Sequence, residues 1–424
     1  MIMDFPVWQL LIISINGLLK IFFQPMFYLA LFMVYWQCKN VHEQQKNMFG
    51  SENIPLLPSV LTSAATGMIG GVIASMLVLS TGLSVNQMGV EYLWPLALML
   101  LFVNLRFLCF AYAGGMIALS NILFGWPDIA PANVLGLVAI LHITESILVF
   151  IGGKYSDLPV YICHGGQTVG GFMLSNFWPL PLILMVVVGV PQSETIQALN
   201  MPGWWPLFPI PAAEPEYNNI MVPITIAAVL GYSSVAITVD PAAKRRFSAI
   251  VLFTYSIILL GVSYLSIGSK AFGIIAALTS FLGHELAVRL DQRVEEKGEP
   301  LYRRRPEKML VLDVMYDSPA QKAGLQRGDI IKAVDGEKIY DEIDIETLMH
   351  FLPDKFDITV QRADKELGIT IDITKNERRL FGIIPMPIQG RDRAMTLDPN
   401  YSMLLRWYRK FKRYRAYKNV SKKR

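Results

Sequence analysis

Two short constellations in this 424-residue chain place residues capable of chemistry inside otherwise uncharged surroundings: His142 with Glu145, and His284 with Glu285. At i, i+3 the first pair shares one helix face, and ionisable groups within apolar helices serve ion or proton pathways, metal binding or buried pairing. His142 and Glu145 therefore admit three readings: a metal pair, a proton relay, or a hydrogen-bonded pair holding two helices together. The second constellation is the nearer to a hydrolytic centre. Helical zinc proteases use HExxH, in which histidines at i and i+4 present two ligands on one face and the glutamate acts as base. Here the run is His284-Glu285-Leu286-Ala287-Val288, so the second ligand is absent. No catalytic residue, metal site or cofactor is assigned on these grounds. Cys38, Cys109 and Cys163 lie in or beside apolar runs without CxxC spacing, which indicates neither a disulfide framework nor a zinc site.

The elements that must hold these residues are set by composition. The chain is 53% hydrophobic and only 17% charged, with a mean hydropathy of +0.39, too apolar for one soluble core of ordinary surface. Residues 53 to 90, 107 to 127, 158 to 193, 217 to 239 and 247 to 269 contain no Asp, Glu, Lys or Arg. A helix needs roughly 20 apolar residues to cross a bilayer core, so these runs predict spans. The fold class expected is an α-helical polytopic membrane bundle followed by a soluble α+β domain. Residues 1–290 should hold seven to nine spanning helices, among them runs near 21–37, 56–85, 132–151, 173–190, 220–239, 247–268 and 271–288. Lys20, Gln24 and Pro25 split the first apolar block, which reads as an interfacial or re-entrant segment before a span. Gly67 and Gly71 stand in GxxxG spacing, which suits either a homo-oligomer seam or packing within the chain. Lys244-Arg245-Arg246 should mark a cytoplasmic loop, because such loops retain Lys and Arg, and the basic-free Pro191 to Asn219 segment should lie outside. By that count the chain is a multi-pass cell-membrane protein whose last third is cytoplasmic.

After a linker over 291–305, the pattern changes to alternating apolar and charged residues. Met309 to Val314 reads as a strand, and Ser318-Pro319 as the N-cap and first position of a short helix that Gly324 ends. Ile330 to Val334 reads as a strand, Asp335-Gly336 as a type I′ turn, 343–352 as a second helix, and Phe356 to Gln361 and Leu367 to Ile373 as strands. The run SPAQKAGLQRGDIIKAVDG, residues 318 to 336, is similar to the signature of bacterial PDZ domains, and the element order agrees over 306–388. That resemblance implies a partner peptide added as a strand between a sheet edge and a helix, its terminal carboxylate held by backbone N–H groups. Leu380, Phe381, Gly382 and Ile383, with Arg379 beside them, resemble the carboxylate-binding loop; Ile345, Leu348 and Met349 share the face of the facing helix.

Residues 389–424 form a basic aromatic tail. From Arg406 onward it carries ten Lys or Arg and no acid, with Trp407, Arg409, Lys410, Lys412 and Arg413 at its start. Beside a bilayer such a segment favours anionic lipid over nucleic acid. Many spans followed by one C-terminal PDZ domain resemble the MinJ-type membrane proteins of Gram-positive bacteria. The patches Gln24-Pro25-Met26-Phe27-Tyr28, Arg106 to Tyr112 and Trp204 to Phe208 support this. The resemblance implies a non-enzymatic adaptor for division-site placement at septum and cell pole, with a DivIVA-like scaffold and a MinD-like ATPase as partners. Two other readings stay open: a regulator or degenerate relative of an intramembrane protease, and a transporter regulated by its PDZ domain.

Overall fold

The computed structural model describes residues 5–49, 55–153, 157–193, 199–212, 215–303, 308–340, 345, 348, 351–373 and 380–386. Helices α1 (Val7–Ile21) and α2 (Pro25–Phe49) meet at a bend of 79°. At that bend Gln24 Nε2 donates to the Thr225 carbonyl, 3.0 Å away, so the polar break is used rather than left in an apolar layer. Helix α3 (Leu56–Thr81) is followed by two short apolar helices, α4 (Val90–Val103) and α5 (Phe110–Phe124), joined through a 3-10 turn at Leu105–Leu108. Helix α6 (Pro131–Ile151) and helix α7 (Pro241–Leu265) precede α8 (Lys270–Leu278), a π-helical turn (Thr279–Gly283) and α9 (His284–Lys297), which together make one long rod. Among the described residues four helices are long and apolar enough to cross a bilayer, or five if the bent α1–α2 pair makes one span.

The apolar runs near 173–190 and 220–239 are not helices. They form β2 (Gln167–Pro191) and β3 (Tyr217–Ala236), an antiparallel pair in continuous register from Phe172↔Ala236 to Pro191↔Tyr217, and β1 (Asp157–His164) pairs with the first part of β2. Beyond Leu174, among the described residues, β2 has no strand on its other side, and α3 covers that edge. The edge is neutralised residue by residue. Pro179 and Pro181 offer no N–H; the Ile183 N–H donates to Ser75 Oγ (3.0 Å); Met185 O accepts from Val85 N (2.8 Å); the Val187 N–H donates to Asn86 Oδ1 (2.7 Å). A backbone edge in an apolar layer must be satisfied in this way. Proline lacks the donor and breaks helices, so two of them at i, i+2 fit this strand edge and exclude a helix. Gly67 and Gly71 of α3 lie directly against the Pro179 and Pro181 carbonyls, where a Cβ would overlap the oxygen. The GxxxG stripe therefore packs within the chain.

Lys244, Arg245 and Arg246, expected in a loop, lie in the first turns of α7. Lys244 is fully buried between Asp291 and Glu295 of α9, and Arg245 is buried against Asp157 of β1; only Arg246 is exposed.

The strands and first helix of the C-terminal domain follow the order read from the sequence; most of the second helix expected over 343–352 lies outside the described residues. Strand β4 (Met309–Val314), helix α10 (Pro319–Lys322), and strands β5 (Ile330–Val334), β6 (Glu337–Lys338), β7 (Lys355–Arg362), β8 (Lys365–Asp372) and β9 (Ile383–Pro385) give a sheet of order β8-β7-β5-β4-β9, with β6 on β5. Ser318 caps α10 by accepting the Gln321 N–H at 3.2 Å, and Asp335 (φ 49°) and Gly336 (φ 84°) make the left-handed turn into β6. One sheet face, through Leu310, Leu312, Ile330, Ile384 and Met386, packs on Phe172, Leu174 and Ala236 at the base of the long hairpin. Of the segment expected as a linker, residues 291–297 lie in α9, and the Tyr302 carbonyl accepts the Gly170 N–H at 2.8 Å. Arg327 stacks on the Phe172 ring at 3.9 Å and reaches Asp313 at 3.3 Å. Burial pushes the Tyr302 hydroxyl up to about 12 and the Asp157 carboxyl above its ordinary value, although Arg245 and Arg327 pull the latter down.

Arg327→Ala removes the cation over Phe172, an interaction worth about 1–2 kcal/mol when partly desolvated. The expected result is roughly tenfold faster hydrogen exchange at the Gly170 amide, since a tenfold change in opening corresponds to about 1.4 kcal/mol. Unchanged exchange there would mean that Arg327 does not hold the domain on the hairpin.

Candidate functional site

The turn over Leu380–Gly382 positions the expected carboxylate loop. Phe381 takes φ 37° and Gly382 φ 92°, and the Gly382 carbonyl accepts the Met315 N–H at 2.7 Å. A Cβ on Gly382 would overlap the Ser318 side chain, so glycine is required both by its backbone conformation and by the close approach to the α10 cap. The Phe381 ring is fully buried, edge-on to Phe356 at 5.8 Å, and Ile383 and Ile345 lie in the same core cluster. Leu348 packs at the margin of that cluster. Side chains of Phe381, Ile383 and Ile345 thus build the domain, and what they leave at this edge for a ligand is main chain. Among the described residues β9 pairs only with β4, leaving its other edge without a strand. For Leu380 only the backbone is described; Arg379, Met349 and the tail residues Trp407, Arg409, Lys410, Lys412 and Arg413 lie outside the described residues.

Asp329, inside the run SPAQKAGLQRGDIIKAVDG, anchors the signature. It is 1% exposed, takes a bidentate pair from Arg362 (2.8 and 2.7 Å) and accepts the Gln326 N–H at 2.9 Å. That bond to Asp329 raises the Arg362 pKa.

The helical part brings two of the four polar candidates together and adds a cysteine. Cys109 is the N-cap of α5, His142 sits midway along α6, and His284 follows the π-helical turn. Cys109 Sγ lies 3.2 Å from His142 Nε2 and 3.7 Å from His284 Nε2, and the two imidazole centroids are 5.1 Å apart. The π turn aims His284 inward, for Tyr255 donates to the Ser280 carbonyl at 2.8 Å and Ser280 Oγ donates to the Ala111 carbonyl at 2.7 Å, pinning the turn from two sides. Glu285 faces the rim, where it pairs with Arg106 (3.3 Å) and Arg289 (2.9 Å) and accepts the Tyr112 hydroxyl at 3.1 Å. Glu145, one turn beyond His142, is half-buried and does not join the cluster.

The PDZ domain family matches residues 310–362. The cell division topological determinant MinJ of Bacillus subtilis is 26% identical over 234 residues, an alignment covering 53% of this chain and 53% of that protein. The chain is thus similar to MinJ over about half its length and matches the PDZ domain family over 310–362. The match spans about half the length of MinJ, and neither comparison is to an enzyme.

The PDZ-matched region was the legible part of the sequence. Cys109 and Tyr112 were missed as partners of the histidines, although both stand in the Arg106 to Tyr112 patch that had been singled out. Their sequence distance from His142 and His284 leaves no spacing rule to connect them.

Proposed function

We propose that this chain is a membrane-anchored, non-enzymatic adaptor of the division apparatus that captures partner proteins through its PDZ domain. The observation that carries the proposal is the PDZ match over 310–362, joined to an edge strand, β9, that directly follows the Leu380–Gly382 turn. A partner segment would add to the β9 edge by main-chain pairing, its carboxylate at the turn and Arg379 beside it, with Leu348 and Met349 bounding the groove. The PDZ domain and tail face the cytoplasm on this reading, and the tail engages anionic lipid. By analogy with the division role in MinJ's name, the partners are division-site proteins; the resemblance suggests a DivIVA-like scaffold and a MinD-like ATPase.

A full-length fluorescent fusion in a rod-shaped Gram-positive host should concentrate at septa and poles. An even distribution around the membrane would overturn the division reading. Arg379→Glu should release the fusion from those sites, because hydrogen bonds to charged groups contribute about 1.5–3 kcal/mol, or roughly tenfold and more in affinity. Gly382 is the wrong residue to substitute, since any side chain there disrupts the turn itself.

A further inference from the structure

The Cys109, His142 and His284 cluster has a hydrogen-bonding deficit. His142 Nδ1 lies 2.7 Å from the Val138 carbonyl, which can only accept, so Nδ1 carries the proton. His284 Nδ1 lies 3.2 Å from the Tyr112 hydroxyl. That hydroxyl has one proton, and it is committed to the Glu285 carboxylate, itself flanked by Arg106 and Arg289. The hydroxyl therefore accepts, and His284 Nδ1 is protonated too. With both imidazoles neutral, each turns an Nε2 lone pair toward the same sulfur. One thiol has one proton and can satisfy one of them.

A metal ion removes the deficit. Tetrahedral zinc, with bonds of about 2.3 Å to sulfur and about 2.0–2.1 Å to nitrogen, requires sulfur and nitrogen ligands about 3.5 Å apart. The distances of 3.2 and 3.7 Å bracket that value, and all three ligand atoms lie within 4.8 Å of one another. The surroundings also match what metal-binding histidines use. Each donates its remote N–H to an oxygen, His142 to a backbone carbonyl and His284 through Tyr112 to a carboxylate, which fixes ring orientation and tautomer. A sulfur anion would further sit at the N-terminus of α5, where it accepts the Ala111 N–H at 3.5 Å and negative charge is favoured.

We propose that Cys109, His142 and His284 form a binding site for a borderline metal ion of the zinc class. A thiolate with two imidazoles suits zinc(II), and excludes calcium and magnesium, which take oxygen ligands. On binding, the Cys109 thiol releases its proton to solvent as the sulfur–metal bond forms, and the two Nε2 lone pairs complete three ligands. Among the described residues no fourth His, Cys, Asp or Glu joins the group, so a fourth position falls to water or a small anion. The site ties the start of α5, the middle of α6 and the π turn before α9 at one point. It stands independently of what the PDZ domain captures.

The test uses the full chain, purified in detergent without a histidine tag and stripped with a chelator. Zinc titrated against a chromophoric competitor should bind at one ion per chain. Cobalt(II) should give a sulfur-to-metal charge-transfer band that Cys109→Ser abolishes. His142→Ala and His284→Ala should each weaken zinc binding by more than about 100-fold, and Tyr112→Phe by about 10–100-fold, the range for residues that orient a ligand. Cys163→Ala, at the exposed tip of the β1–β2 hairpin, should bind as wild type. The proposal is overturned if the wild-type chain gives no charge-transfer band, a measurement that needs no variant to fold. It is equally overturned if the ligand variants bind zinc as the wild type does.

Discussion

Lys244→Met is expected to destabilise the protein by about 3–5 kcal/mol, the cost of removing one partner from a buried ion pair. Lys244 is 0% exposed, and its Nζ lies 3.1 Å from Asp291 Oδ1 and 3.4 Å from Glu295 Oε1. Glu295 is held from the other side, where Oε2 accepts the N–H groups of Ile237 (2.7 Å) and Thr238 (2.8 Å) just past β3. Asp291 accepts hydroxyls from Ser234 and Ser248. One ammonium thus joins α7, α9 and the end of the long hairpin. Without it a buried carboxylate, Glu295, faces the half-buried Asp291, and Glu295 Oε1 has no hydrogen bond to replace the charge. Denaturant unfolding of the detergent-solubilised chain measures the loss. The variant Lys244→Met/Asp291→Asn/Glu295→Gln should recover part of it, because the penalty lies in uncompensated charge. A single variant with the wild-type midpoint would show that water, not Lys244, balances the two acids.

How far the fold was legible depended on whether the deciding physics is local. Ser318-Pro319, Gly324 and Asp335-Gly336 announce a cap, a helix end and a turn within a few residues each, so the C-terminal domain could be read in order. The long hairpin could not be read from hydropathy. β2 is buried on both faces for most of its length, which yields a continuous apolar run with the same profile as a spanning helix. The available signal was Pro179 and Pro181 two residues apart, a spacing that a strand edge tolerates and a helix interior does not. Lys244 and Arg245 read as cations of a loop between spans because sequence does not reveal that Asp291, Glu295 and Asp157 approach them. The side-chain cluster was hardest, since Cys109, His142 and His284 come from three elements that only tertiary packing brings together. Side chains of the helix expected to face the peptide loop divide similarly. Periodicity placed Ile345 and Leu348 on one helix face, but could not tell that Ile345 belongs to the core while Leu348 stays at its margin.

Gly71→Leu is the second large expected effect, and it separates the two uses of a small-residue stripe. A Cβ at Gly71 would overlap the Pro181 carbonyl oxygen and stand 2.7 Å from Pro181 Cγ, so backbone rather than a pliable side chain must move. Overpacking of this kind costs about 1–3 kcal/mol. Lifting α3 from β2 would add to this by exposing an unpaired strand edge, since the Ser75 bond to Ile183 and the Asn86 bonds to Val187 depend on the same close approach. The summed loss is expected to exceed about 3 kcal/mol. Ile69→Leu, on the exposed face of the same helix, should change stability by under about 0.5 kcal/mol. Were Gly67 and Gly71 a seam between two copies, Gly71→Leu would shift the monomer–dimer balance and leave the monomer's unfolding unchanged. Packing on Pro179 and Pro181 demands the opposite: the monomer loses stability by the same amount at every protein concentration. A destabilisation that vanishes on dilution would therefore defeat this account of how a long strand is kept inside an apolar bundle.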